Sequence, residues 1–136
     1  MLMEEYDMNF DKMEIYHDDD GIAIDIILHT FGHQKIPVIY LESDVCDKKM
    51  KIDINFIISH QVELHNIIEK EIALYTNRIY NKNLYKCTLM KIYLFSDIEN
   101  EYGFLFDWSG DTEHGIGVKI KDLSVKKIGS AEIAFL

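Results

Sequence analysis

The stretch FIISHQVELHNIIEKEIALYTNRIY, residues 56–80, carries the clearest period in the chain. Apolar residues recur in it every three or four positions, which is the spacing of one face of an α-helix. The stripe consists of Ile57, Ile58, Val62, Ile68, Ile72, Tyr75 and Ile79. The pattern predicts one long helix over 56–80, whose start could be capped by Asp53, Asn55 or Ser59.

Shorter segments on both sides of this helix have the alternation or the β-branched composition of strands. Turn clusters such as Asp18-Asp-Asp-Gly21 separate them. The predicted strands are 13–17, 22–30, 35–42 and 50–54 before the helix, and 85–95, 102–108, 115–121 and a tail near 132–136 after it. The order strands, helix, strands predicts an α+β fold, with an antiparallel β-sheet of six to eight short strands packed on one long central helix. A length of 136 residues fits a single domain, 1–136.

The charge of the chain is strongly negative and unevenly spread. Its 24 Asp and Glu residues outnumber 14 Lys and Arg residues, which gives a formal net charge of −10. Residues 1–25 hold nine acidic residues against one Lys, and residues 97–114 hold six acidic residues with no Lys or Arg. Nucleic acids and anionic membranes are bound through clustered Lys and Arg. The composition therefore argues against both as partners and favours a partner with a basic surface.

Neither the cysteines nor the histidines are spaced like metal ligands or catalytic groups. Cys46 and Cys87 are too few and too far apart for a disulfide framework or a zinc site. His60 and His65 are five residues apart, whereas residues on one helix face are three or four apart. No phosphate loop, dinucleotide fingerprint or nucleophile elbow occurs in the chain. We therefore expect no enzyme activity and no cofactor.

The first residues lack the positive charge and the apolar run of a signal peptide. The longest apolar stretch, 22–28, is interrupted by Asp25 and is far shorter than a membrane span. The expected location is therefore the cytoplasm.

The densest run of polar side chains is Asp-Trp-Ser-Gly-Asp-Thr-Glu-His-Gly-Ile-Gly, residues 107–117. Oxygen-bearing side chains alternate in it as at the start of a calcium loop: Asp107, Ser109, Asp111 and Glu113. An EF-hand is excluded, because Thr112 and Val118 stand where that loop requires Gly and Glu. A looser divalent-metal site that includes His114 stays open, as does a hairpin connection whose carboxylates are only solvated.

This segment and the strand before it resemble a known signature. Gly103-Phe-Leu-Phe106 is followed by Asp111-Thr-Glu-His-Gly-Ile-Gly-Val118. The pair of runs resembles the D-x-E-H-G-x-G-V motif of an uncharacterised family of small acidic bacterial domains. Such domains are similar to immunity proteins of polymorphic-toxin and contact-dependent growth-inhibition systems. The resemblance covers 103–118, and Trp108 stands three residues before Asp111, where a directly adjacent tryptophan is expected.

The resemblance implies a non-enzymatic immunity protein that binds and occludes a cognate bacterial toxin. The negative charge makes a basic nuclease the expected class of toxin. Six acidic side chains are the expected contacts: Asp18, Asp19, Asp20, Asp107, Asp111 and Glu113. Tyr102 and Trp108 are the expected aromatic anchors, because Tyr and Trp are frequent in binding hot spots.

The polar segment also has a structural interpretation. Gly115 and Gly117 allow the chain to leave a turn with unusual backbone angles, and Glu113 and His114 could hold that corner through hydrogen bonds. A third functional class is an acidic scaffold or sensory domain whose charge serves solubility alone. The sequence does not indicate an oligomeric state.

Overall fold

The structure is a computed structural model that describes residues 13–80 and 86–136. The elements are β1 (Ile15–Asp18), β2 (Gly21–Ile26), β3 (Ile36–Leu41), α1 (Lys48–Ser59), α2 (Gln61–Tyr80), β4 (Cys87–Phe95), β5 (Glu101–Trp108), β6 (Ile116–Lys121), β7 (Ser124–Gly129) and a 3₁₀ helix (Ala131–Ala134). The seven strands form one sheet in chain order. Every neighbouring pair is antiparallel except β3 and β4. The predicted α+β class is confirmed, and the seven strands lie within the predicted six to eight.

The parallel pair of β3 and β4 corrects the prediction of a purely antiparallel sheet. Val38 to Leu41 pair in parallel with Ile92 to Phe95. Parallel neighbours cannot be joined by a tight turn, so the chain has to cross over one face of the sheet. The two helices make this crossover. The element order also differs from strands, helix, strands, because two helices stand in the middle and a 3₁₀ helix follows β7.

The prediction of one long helix over 56–80 is wrong. The helical segment is divided into α1 and α2, and residues 50–54, predicted as a strand, belong to α1. The break lies at His60, whose φ of −113° and ψ of 20° leave the helical region. The carbonyl oxygen of Phe56 accepts both the His60 N–H (3.0 Å) and the Ser59 hydroxyl (3.1 Å). Side-chain hydrogen bonds thus compete with the helical ladder where α1 ends.

The first helix is capped by Asp47, so the caps predicted for the helix are also wrong. Asp47 Oδ1 accepts the N–H of Met50 at 3.0 Å, which satisfies a donor that the helix leaves unpaired. Asp53 and Asn55 lie inside α1 instead, and Ser59 is its last residue.

The second helix buries a face that the predicted stripe only partly covers. The buried positions are Leu64, Ile68, Ile72 and Thr76, which follow each other at intervals of four. Val62 and Ile79, which belong to the predicted stripe, are 57% and 55% exposed. Within the described ranges, no helix has the length and apolar composition needed to cross a lipid bilayer.

The sheet buries apolar side chains on both faces. The main core lies between the helices and one face, and its largest side chains include Ile24, Tyr40, Ile57, Leu64, Phe104 and Trp108. A second, smaller cluster lies on the other face and consists of Ala23, Ile39, Tyr93, Phe95 and Ala134. Successive residues of a strand point to opposite faces, so β3 supplies Tyr40 to the main core and Ile39 to the second cluster.

The tail near 132–136 does not form the predicted strand. It contains the 3₁₀ helix and packs on the second face of the sheet. Gly103 and Gly117 make room for it, because a Cβ atom at Gly103 would overlap the carbonyl oxygen of Ala134. A Cβ atom at Gly117 would crowd the carbonyl oxygen of Ala131 in the same way. The outer strand β7, which the sequence pattern does not predict, pairs with β6.

Candidate functional site

The two predicted acidic segments lie at opposite ends of the strands. The β1–β2 turn with Asp18, Asp19 and Asp20 lies at the edge where β3 and β4 end and β5 begins. Residues 107–113 lie at the opposite edge, where β5 ends and β6 begins. The length of β5, roughly 24 Å at the usual rise per residue, separates the two edges. The two segments therefore do not form one continuous surface.

Further acidic residues join Asp18, Asp19 and Asp20 at the first edge. They stand on the connections after β3, after β4 and after β6, which the strand pairing brings to the same side. We call this surface the acidic edge, and it consists of Asp18, Asp19, Asp20, Glu42, Asp44, Asp97, Glu99 and Asp122. All of these are exposed except Asp18, which is half-buried. The parallel crossover between β3 and β4 is what aligns these connections, and the sequence pattern does not contain it.

Backbone hydrogen bonds hold the β1–β2 turn beside the loop after β3. The N–H of Glu42 donates to the carbonyl of Asp20 at 2.9 Å, and the N–H of Ile22 donates to the carbonyl of Ser43 at 2.8 Å. The two segments line a shallow groove that also includes His17. Backbone segments that carry carboxylates from separate parts of the chain are thereby held side by side.

The backbone of the acidic edge is strained at one position. Among the described residues, the non-glycine residues with positive φ are Glu42 (58°), Asn100 (60°) and Asp122 (55°), and all lie on this edge. Asn and Asp adopt this left-handed conformation more readily than other non-glycine residues, whereas a Glu in it is unusual. Such strain persists only where the surrounding structure imposes it. At Glu42 the hydrogen bond to Asp20 contributes to that constraint.

No carboxylate of the acidic edge forms an ion pair with another residue that the structure describes. Within the described part of the chain, the ion pairs are Lys49–Asp53, His65–Glu69, His114–Asp111 and Lys126–Glu101. Lys121 reaches this edge, but its amine donates to the main-chain carbonyl of Glu99 at 2.8 Å. The negative charge of the edge is thus available to a partner.

A polar cluster beneath the acidic edge connects α1 to the sheet. The amine of Lys49 donates to Asp53 Oδ2 at 2.7 Å and to the carbonyl of Phe95 at 2.6 Å. Burial raises the pKa of the Asp53 carboxyl, and the hydrogen bond from Lys49 opposes that rise. The hydroxyl of Tyr40 donates to Asp47 Oδ2 at 3.1 Å, and burial together with this bond raises the pKa of Tyr40 to about 12.

At the opposite edge, the D-x-E-H-G-x-G segment forms a tight corner. The Asp111 carboxylate accepts the backbone N–H of His114 at 3.2 Å and lies 3.0 Å from its Nδ1 atom. The hydrogen bond between the Asp111 carboxylate and the His114 imidazole is the main cause of a raised pKa at His114. Gly115 has a φ of 63°, Gly117 lies under the 3₁₀ helix, and the N–H of Ala131 donates to the His114 carbonyl at 2.9 Å. In this geometry, His114, Gly115 and Gly117 hold the corner and seat the 3₁₀ helix.

The predicted aromatic anchors are wrong, because both side chains lie in the main core. Tyr102 is 1% exposed and Trp108 is not exposed at all. They alternate along β5 with residues of the other face and therefore point toward the helices. Asp107 and Glu113, in contrast, are exposed, so their predicted contacts with a partner stay predictions.

The geometry does not support the divalent-metal alternative. Among residues 13–80 and 86–136, no three His, Cys, Asp or Glu side chains converge in a way that could hold a metal ion. Asp111 is turned toward His114, and a pair of this kind falls short of the oxygen-rich coordination that calcium or magnesium requires.

The acidic edge offers fixed negative charge and hydrogen-bond acceptors on the ends of a packed sheet. This chemistry suits a surface rich in Lys and Arg. Comparisons of the chain with protein-family models, with curated proteins and with solved structures find no match.

Proposed function

We propose that this chain is a non-enzymatic immunity protein that binds a basic bacterial toxin, of the nuclease class, through the acidic edge. The observation that carries the proposal is the group of eight carboxylates on adjacent connections, outside the ion pairs of the described residues. A nuclease binds phosphates with Lys and Arg side chains. Carboxylates that pair with the same cations would occupy that surface and exclude the nucleic acid.

The sheet supports this role because it holds the backbone that carries the carboxylates in place before a partner arrives. The hydrogen bonds from Glu42 to Asp20 and from Asp122 to Asn100 tie neighbouring connections together. A surface that is already ordered loses little conformational entropy on binding. The acidic edge therefore resembles a preformed template more than a disordered acidic tail.

The charge also supports fast capture of a basic partner. Opposite potentials steer encounter and raise association rates up to ~10⁸–10⁹ M⁻¹s⁻¹ at low ionic strength. An immunity protein has to bind before the toxin acts, and steering serves that purpose. In this proposal the chain acts in the cytoplasm and makes or breaks no covalent bond.

The contact surface in this proposal shares only part of the set of residues inferred from the sequence. Asp18, Asp19 and Asp20 belong to it, whereas the corner with Asp107, Asp111 and Glu113 lies at the other edge of the sheet. The resemblance of 103–118 to domains similar to immunity proteins supports the functional class. Since these residues form the corner and the strand under the 3₁₀ helix, the motif marks the fold and not the contact.

The proposal predicts a gene for a basic toxin beside the gene for this chain, and the toxin domain encoded there is the binding partner for the test. The two proteins are mixed, the complex is measured by size exclusion and calorimetry, and nuclease activity is followed on a fluorescent duplex. We expect a stable complex and loss of nuclease activity. A toxin that neither binds the chain nor is inhibited by it would contradict the proposal and favour the alternative of an acidic scaffold or sensory domain.

A matched pair of variants locates the contact. Asp19→Asn with Asp20→Asn removes two charges from the acidic edge, and Asp107→Asn with Glu113→Gln removes two from the opposite edge. Asp18 and Asp111 are kept because their carboxylates accept backbone N–H groups, from Asp20 and from His114. We expect the first pair to weaken inhibition about tenfold or more and the second to leave it nearly unchanged. Equal effects of the two pairs would contradict the assigned contact.

A further inference from the structure

A cavity of about 290 Å³ lies between α2, the start of β4 and the loop that joins β2 to β3. Its apolar wall consists of Phe31, Ile68, Ile72, Leu89 and Phe106, and its polar wall of His65, Glu69, Lys86 and Cys87. Four of the apolar side chains are 5% exposed or less, so they form the floor. The size is at the lower end of the range for small-molecule sites, and an apolar floor with a few polar groups is their usual composition.

The wall on the β2–β3 side is fixed in place by the fold. The N–H of Thr30 donates to Gln61 Oε1 of α2 at 3.0 Å. The side-chain amide of Gln34 donates to the carbonyl of Leu89 in β4 at 3.4 Å. Between these two attachments, the ring of Phe31 packs edge-on against His65 at 5.0 Å and stacks on Phe104 at 5.9 Å. The loop is therefore tied to both the helix and the sheet, and the cavity is preformed.

The charged groups at the mouth are not equivalent. His65 Nε2 and Glu69 Oε2 lie 3.4 Å apart, close enough for an ion pair when the imidazole is protonated. The backbone of Lys86 is held by Ser109, whose hydroxyl accepts the Lys86 N–H at 3.0 Å and whose N–H donates to the Lys86 carbonyl at 3.0 Å. The exposed Lys86 amine enters none of the ion pairs of the described residues. A ligand at this mouth can therefore pair with the Lys86 amine without displacing an ion-pair partner among the described residues.

We propose that this cavity binds a small ligand with a compact apolar body and a carboxylate. The body lies against Ile68, Leu89 and Phe106, and the carboxylate faces the amine of Lys86. None of these residues belongs to the acidic edge, so the site goes beyond the proposed function. Ligand binding in the cavity can be confirmed or contradicted whether or not the chain binds a toxin. A carboxylate is favoured over an amine because it can pair with the Lys86 amine, whereas the Glu69 carboxylate already has the His65 imidazole 3.4 Å away.

Three probes with the same chain length separate the two parts of the proposal. Octanoate carries the carboxylate, octanol is neutral and octylamine carries the opposite charge. We expect octanoate to bind with a dissociation constant about threefold to tenfold below that of octanol, because a solvent-exposed ion pair adds only a modest gain. Octylamine is expected to bind most weakly. Binding is measured by calorimetry and by the fluorescence of Trp108, the chain's one tryptophan, which pairs with the cavity residue Cys87.

The variant Lys86→Gln tests the role of the cation at an exposed position where folding is not at risk. We expect it to remove the preference for octanoate over octanol and to leave octanol binding unchanged. Lys127→Gln, on the exposed side of β7, is the matched control and is expected to keep the preference. Failure of all three probes to bind, tighter binding of octylamine, or an unaltered preference in Lys86→Gln would each overturn the proposal.

Discussion

The amine of Lys49 lies 2.7 Å from Oδ2 of Asp53, one turn further along α1, and also donates to the carbonyl of Phe95 at the end of β4. The Asp53 side chain is 4% exposed, whereas that of Lys49 is 23% exposed. Through this pair, α1 is connected to the end of β4, which is followed by Asp97 and Glu99 of the acidic edge. The position of that edge therefore depends on a charge buried beneath it.

Replacement of Lys49 by Met is expected to destabilise the protein by about 2 kcal/mol at neutral pH. The substitution leaves the buried Asp53 carboxylate without its cation, and removal of one partner from a buried pair is costly. Urea denaturation at pH 7.5 measures the loss. The double variant with Asp53→Asn is the control and should recover part of it, because the buried charge is then gone as well.

The loss of stability in Lys49→Met is expected to become smaller as the pH falls. Burial raises the folded-state pKa of Asp53, so the protonated form contributes stability that is complete below the unfolded pKa, near 4, and is lost as the pH rises through the folded pKa. Without Lys49 the folded pKa rises further. The deficit should therefore shrink between pH 7.5 and pH 5. A deficit that is constant or grows over this range would contradict the burial of Asp53.

The left-handed backbone at Glu42 makes a glycine there favourable. We expect Glu42→Gly to raise the free energy of unfolding by about 0.5–1 kcal/mol, because glycine adopts a φ of 58° without steric cost. Glu42→Gln keeps the strain and removes the charge, so its stability should match that of the natural chain. Urea midpoints of the three proteins measure both effects. A loss of stability in Glu42→Gly larger than in Glu42→Gln would argue against strain at this position.

A methyl group at Gly103 is expected to displace the 3₁₀ helix from the sheet. Gly103→Ala places its Cβ atom on the backbone of Ala134, which cannot shift without moving the whole segment, and should cost about 2 kcal/mol or more. Gly129→Ala is the matched control, since its Cβ atom meets only the flexible side chain of Ile133. Carboxypeptidase digestion of the tail should become faster in the first variant alone. Equal digestion of the two variants would show that the 3₁₀ helix does not pack tightly against Gly103.

The hydrogen bond between Asp111 and His114 is expected to appear in the titration of the imidazole. Asp111 raises the pKa of His114 above its usual value of 6.5. A group with a raised folded pKa adds stability that is complete below its unfolded pKa, near 6.5 for an imidazole, and that is lost as the pH rises through the higher folded pKa. NMR titration of the ring protons measures the value directly. Asp111→Asn should lower it, and an unchanged pKa in that variant would exclude the proposed corner.

Local sequence patterns predict most of the strands because each strand has its own alternation and its own turn. The β1–β2 hairpin follows from Asp18-Asp-Asp-Gly21, and β5 follows from the apolar run before Trp108. The break at His60 is not predictable in the same way. Two side chains beside the break make hydrogen bonds: the Ser59 hydroxyl donates to the Phe56 carbonyl, and the Gln61 side chain accepts the Thr30 N–H from a residue far away in sequence.

The composition predicts that acidic residues form the candidate site, but not which of them share a surface. The parallel pairing of β3 with β4 brings Glu42 and Asp97 to the side of Asp19 and leaves Glu113 at the other end. Such a crossover is a tertiary feature without a local signal. The burial of Trp108 has the same origin, since an aromatic residue on a strand serves a core or an interface according to which face is covered.

The most direct test of the central claim is the association rate of the natural chain and of the two matched charge variants with the toxin, measured by stopped flow at several salt concentrations. The account predicts a rate for the natural chain that falls steeply as salt rises, with a clearly lower rate and a weaker salt dependence for Asp19→Asn with Asp20→Asn. Asp107→Asn with Glu113→Gln should follow the natural chain closely. A rate that is indifferent to salt, or that falls equally in both variants, would contradict capture through the acidic edge.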